Sequence, residues 1–124
     1  MLFLANALIV LVAILHGWFL ILEMFLWQKP LGLKTFRNSP EKAATTSVLA
    51  ANQGLYNGFL AAGLFCSFAF TNSHITFAFQ IFFLSCVIIA GIYGAYSVSK
   101  RILVIQALPA AIALVLVLIN SAQT

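Results

Sequence analysis

Four long apolar runs, separated only by short polar or basic segments, decide what this chain can fold into. Each run approaches or exceeds the roughly 20 residues a helix needs to cross the hydrocarbon of a bilayer. Of 124 residues, 64% are hydrophobic and 6% charged, against about a quarter charged in soluble domains. Six basic and two acidic side chains cannot clothe a protein of this size in water, so lipid is the expected solvent. The expected fold is all-α: an integral membrane four-helix bundle in a single domain over residues 1–124. Its helices fall near 2–27, 40–70, 75–98 and 102–120, because only closed backbone hydrogen bonding survives in hydrocarbon. The first run lacks a basic leader and a small-residue cleavage site, so it is expected to remain as helix one. Ser39-Pro40-Glu41 reads as the start of helix two, with serine as cap, proline at the first helical position and an acid in the first turn. Pro109 lies inside helix four, where a kink is expected.

The charges orient the bundle. Lys29, Lys34, Arg37 and Lys42 fall in the first connection, Lys100 and Arg101 in the third, and neither the second connection nor either terminus carries a lysine or arginine. The first and third loops are therefore expected in the cytoplasm, and both termini on the non-cytoplasmic side. The net charge of +4 follows from these loops and is no sign of nucleic-acid binding; the expected partners are membrane lipids. Cys66 and Cys86 differ in depth by roughly 10 Å and are expected as free thiols.

Helix two carries a small residue every fourth position, Ala50, Gly54, Gly58 and Ala62, and helix three pairs Ala90 with Gly94 and Gly91 with Ala95. Such lines let helix backbones approach closely. Packing of helices two and three on each other is the economical expectation, with a homodimer through the glycine faces as the alternative.

Polar side chains inside spans are costly and turn towards the protein interior. His16 and Glu23, seven residues apart, share one stripe of helix one. Asn52, Gln53, Tyr56 and Asn57 form a broad arc on helix two. Counting depth from Trp27 puts Glu23 with Asn52, Gln53, Tyr93 and Gln106 in a lower layer, and His16 with Tyr56 and Asn57 in an upper one. His16 and Glu23 are candidate catalytic groups for proton transfer. Asn52, Gln53, Tyr56, Asn57, Tyr93 and Gln106 are candidate ligand-binding groups. One histidine and one carboxylate supply at most two ligands, so no metal or other cofactor is expected. No nucleotide loop or hydrolase triad appears.

The pattern His16…Glu23-Met24-Phe25-Leu26-Trp27, a basic Pro/Gly loop, then Ala50-Ala51-Asn52-Gln53-Gly54-Leu55-Tyr56-Asn57-Gly58-Phe59-Leu60-Ala61 resembles the small membrane proteins of the domain of unknown function 1304 family. The resemblance covers essentially the whole chain, with Asn52 to Gly58 its most specific part. It implies a four-span, multi-pass protein of the bacterial inner membrane, and no activity. The residues leave three functional readings: a site binding or isomerising a small lipophilic molecule, a small proton-coupled transporter, or an accessory protein whose polar core is purely structural. The six-to-zero charge bias argues against the transporter, since the best-known small exporters insert in both orientations.

Overall fold

The computed structural model describes residues 1–122 and is helical, with no strand among the described residues. The helices are α1 (Leu2–Met24), α2 (Pro30–Phe36), α3 (Pro40–Cys66), α4 (Ser73–Ser97) and α5 (Leu108–Ser121). A 3-10 turn at Ser67–Ala69 follows α3, and a π-helical turn at Leu103–Ala107 leads into α5. The stretches Leu2–Met24, Ser73–Ser97 and Leu103–Ser121 are long and apolar enough to cross a membrane. With 27 residues, α3 has the length, about 40 Å. Asn52, Gln53, Tyr56 and Asn57 interrupt its apolar run, so by composition it does not join the other three. The last two residues, on which the expected placement of the C-terminus turns, lie outside the described residues.

α1 stops at Met24 rather than running on to Trp27. Leu26 N–H bonds back five residues to the Ile21 carbonyl, and Lys29 N–H closes a turn on Leu26. Lys29 is extended (φ −86°, ψ 160°), as a residue before proline prefers to be. Pro30 then opens α2, a short helix in what the sequence marks only as a break. Gly32 explains how the chain turns so tightly: a Cβ there would strike the Leu26 carbonyl oxygen and come within 2.9 Å of the Trp27 oxygen. Arg37 ends α2 in the left-handed region (φ 54°, ψ 41°), its N–H on the Leu33 carbonyl. At the start of α3, the Ser39 hydroxyl accepts from Lys42 N–H at 3.2 Å.

At the other connections, the helix bounds also follow their caps. Asn72 accepts from the backbones of His74 and Ile75, so α4 begins at Ser73, ahead of the expected Ile75. Pro109 brings no amide to the helix, and the turn before it widens until Leu108 N–H reaches Leu103 O. The expected kink takes the form of this π turn.

The chain forms two compact units, one of residues 1–13 with everything from Ala62 onward, the other Ile14–Ala61. In the first, α4 packs on the last helical stretch through its small residues. A Cβ at Gly91 would lie 2.9 Å from the Ala107 nitrogen, and one at Gly94 3.0 Å from the Ile102 side chain. Leu84, Val87, Ala107, Ala110 and Ala113 are buried here. In the second, α3 lays its glycine line on the later half of α1. A Cβ at Gly54 would lie 3.0 Å from Glu23 Cβ and 3.2 Å from Leu20 O, and Gly58 faces the Leu20 side chain. Gly54 and Gly58 thus seat α1 within the second unit, and Gly91 and Gly94 seat Ala107 and Ile102 within the first. Cys66 and Cys86 are free.

Candidate functional site around Glu23

The unit Ile14–Ala61 holds a carboxylate fixed from both sides. Glu23, on the last turn of α1, is 4% exposed. Its Oε1 accepts from Gln53 Nε2 at 2.9 Å and its Oε2 from Asn57 Nδ2 at 2.7 Å. Gln53 and Asn57 are one turn apart on α3, so both amides reach the same group. Close approach of the two backbones at Gly54 makes this reach possible: any larger residue there would push Glu23 and Met24 away. Each oxygen accepts one of these two hydrogen bonds and, as a carboxylate oxygen, has room for a further donor.

The polar arc of α3 divides. At about 100° per residue, Asn52 and Tyr56 lie near 0° and 40° when Gln53 and Asn57 lie near 100° and 140°. The buried line Ala50, Gly54 and Ala61 sits near 160–200° on the same scale. Only the second edge of the arc meets α1. Asn52 is exposed and Tyr56 is 60% exposed, its ring edge-on to Phe59. The layered interior expected from depth alone is thus corrected: Asn57 joins Glu23 rather than His16, and Asn52 and Tyr56 leave both layers. Tyr93, exposed on α4, and Gln106, half-buried in the π turn, belong to the other unit.

His16 is fully buried, edge-to-face with Phe19 at 5.7 Å. It lies about 10 Å along α1 from Glu23, with Leu20 between them filling the notch at Gly58. Among the described residues, no three His, Cys, Asp or Glu side chains come together as a metal site.

Where α1 ends, a pocket of about 270 Å³ opens beside Glu23, lined by Met24, Phe25, Trp27, Gln28, Lys29 and Ser47. Trp27 is held in place twice, by a hydrogen bond from its indole N–H to Thr46 Oγ1 at 3.2 Å and by the Phe36 ring at 4.7 Å. Thr46 in turn donates to the Lys42 carbonyl at 2.7 Å. Sequence reasoning missed Thr46, Ser47, Gln28 and Lys29 as parts of one site. The hydroxyl run Thr45-Thr46-Ser47, just inside α3 and beside Trp27, was the available signal. It also passed over Gln80, which is buried in α4 at 7% exposure and carries no sequence signal beyond being an amide in an apolar run.

No curated protein and no solved structure matches this chain. The match that does exist takes in Glu23, both of its amide partners and the whole pocket: residues 10–118 fit the model of the family described as protein of unknown function (DUF1304), and the chain belongs to that family.

Proposed function

We propose that this protein is a four-span integral membrane protein of the bacterial inner membrane, both termini outside, that binds a small lipophilic molecule at the cytoplasmic end of α1 and α3. Three long apolar helices support membrane insertion. The placement of all six basic side chains in or beside the first and third connections supports the orientation. In this reading α3 is the fourth span, its polar edge tolerated because Gln53 and Asn57 are spent on Glu23.

The observation that carries the binding site is a buried carboxylate, fixed by two neutral amides, at a pocket that combines Met24, Phe25 and Trp27 with the polar Gln28, Lys29 and Ser47. A molecule with an apolar body and one hydrogen-bond-donating end fits it. His16 is too far along the helix to act on the atom that Glu23 touches, which favours binding over acid–base turnover. A second reading, a clamp that only ties α1 to α3, is favoured by both oxygens already being bonded.

Native mass spectrometry of protein extracted from membranes separates the two. A discrete adduct that is lost in Glu23→Gln, with helicity preserved and no loss of thermal stability, is the expected result. A protein that carries no adduct in either form leaves the clamp as the role of Glu23.

A further inference from the structure

We propose that the pocket at the end of α1 takes a zwitterionic headgroup, a primary ammonium at Glu23 and a phosphate at Lys29. This rests on reading Glu23 as a binding group and names the ligand class of that site.

Size comes first. At about 270 Å³ the pocket falls just below the roughly 300–1,000 Å³ of sites for drug-sized molecules. It suits a headgroup, with any chains outside. Charge comes second: Glu23 and Lys29 both line the pocket. Lys29 lies beyond the turn that ends α1, and its side chain is exposed. A ligand of one sign would be repelled by one of the two; a ligand of both signs satisfies both.

The end of the helix adds an independent term. The last turn of α1 contains no basic residue, so its carbonyl end, which carries partial negative charge, is not matched by a cation of its own. That potential adds to the Glu23 carboxylate and favours a cation there. A primary ammonium has three N–H donors, enough to bond Glu23 and helix-end carbonyls together. A quaternary ammonium has none.

The remaining lining fits the other half of the ligand. Lysine is a common point-charge binder of phosphate, and Ser47 and Gln28 line the same pocket with hydrogen-bonding groups. Trp27, with its ring fixed, can stack against the cation or the first methylenes. Phe25, 65% exposed, continues the apolar wall outward. The same headgroup chemistry occurs in phosphatidylethanolamine and in free phosphoethanolamine, so the test includes both.

The assay follows Trp27 fluorescence in a Trp18→Phe background in detergent. The titrants are dihexanoyl phosphatidylethanolamine, phosphatidylcholine and phosphatidylglycerol, and phosphoethanolamine. Phosphatidylethanolamine is expected to bind at least about tenfold tighter than the other two lipids, and Glu23→Gln to remove about that factor. Lys29→Gln should weaken phosphatidylethanolamine and phosphatidylcholine alike. Phosphoethanolamine binding as tightly as the lipid assigns the site to a soluble zwitterion, and weaker binding assigns it to the membrane; both support the headgroup chemistry. Equal binding of all three lipids, unchanged in Glu23→Gln, overturns the headgroup assignment while leaving a lipophilic site. No response to any titrant, in a protein that also carries no adduct, overturns both.

Discussion

Removing Asn57 should cost far more when Glu23 is present than when it is absent. The Asn57–Glu23 hydrogen bond is 2.7 Å long, and its partners are 8% and 4% exposed. Hydrogen bonds to charged groups contribute about 1.5–3 kcal/mol in soluble proteins. Polar pairs between membrane helices average about 0.6 and reach about 1.7 kcal/mol, because unfolded helices in the membrane find other partners. Short length, burial and a carboxylate acceptor put this pair at the top of the second range, near 1.5 kcal/mol or about tenfold in the unfolding constant. The cycle of Asn57→Ala, Glu23→Ala and the double variant isolates that coupling, since the volume lost at Asn57 is common to both backgrounds. Unfolding in dodecyl maltoside titrated with sodium dodecyl sulfate, followed by circular dichroism, reads it. The same cycle at Gln53, whose bond is 2.9 Å and whose residue is exposed, should give about 0.5 kcal/mol. An Asn57→Ala cost that is equal with and without Glu23 would refute the clamp.

Two glycines predict opposite signs for the same substitution. Gly32→Ala drives a methyl into the Leu26 carbonyl and should destabilise by about 1–3 kcal/mol; Gly17→Ala, with nothing within 4 Å, should stabilise by about 0.5–1 kcal/mol, both read by the same unfolding assay. Trp27→Phe removes the 3.2 Å hydrogen bond to Thr46, and Thr46→Val removes that bond together with the 2.7 Å donation to the Lys42 carbonyl. Trp27→Phe should cost about 0.5–1 kcal/mol, Thr46→Val somewhat more, and the double variant little more than Thr46→Val alone. For orientation, cysteines introduced at Lys34 and at Ser73 in a background lacking Cys66 and Cys86 should label from opposite sides of intact cells. Impermeant maleimide is expected to reach the second and not the first.

How far the site could be read from the sequence depended on which coordinate of the helix mattered. Depth alone paired Glu23 with Gln53. It missed Asn57, because the count began from a helix assumed to continue to Trp27, whereas α1 ends at Met24 and turns. Three residues of helix are about 4.5 Å, most of the one-turn step between Gln53 and Asn57. Angle was the second coordinate. An arc of four polar residues spanning about 140° is too wide for one contact, so Asn52 and Tyr56 had to leave it, and the position of the glycine line says which edge stays. The start of α3 was plain in Ser39-Pro40-Glu41, whose cap depends only on neighbours in sequence. α2 was not, because Pro30 and Gly32 read as a break until the Leu26 carbonyl is seen beneath Gly32. The glycine lines predicted close packing but not its partner. A small residue says that something approaches, and only the surface opposite says what.

The choice of glutamate at position 23 is itself an argument. Two amides could be bridged equally well by a third: a glutamine there would accept from one and donate to the other's oxygen after an amide flip. Taking a carboxylate out of water costs several kcal/mol. Neutral donors return only part of it, through bonds roughly twice as strong as those between neutral groups. As an adhesive between helices, Glu23 is therefore a poor solution, and Glu23→Gln should stabilise the protein by about 1–3 kcal/mol. As an anchor for a ligand it is a good one, since the charge that weakens the empty protein is the charge that recognises a cationic or donating end. Stability and binding should then move in opposite directions in this one variant. If Glu23→Gln instead unfolds as readily as Glu23→Ala in the same detergent titration, the carboxylate is needed to hold α1 to α3, and the case for a binding site loses its main support.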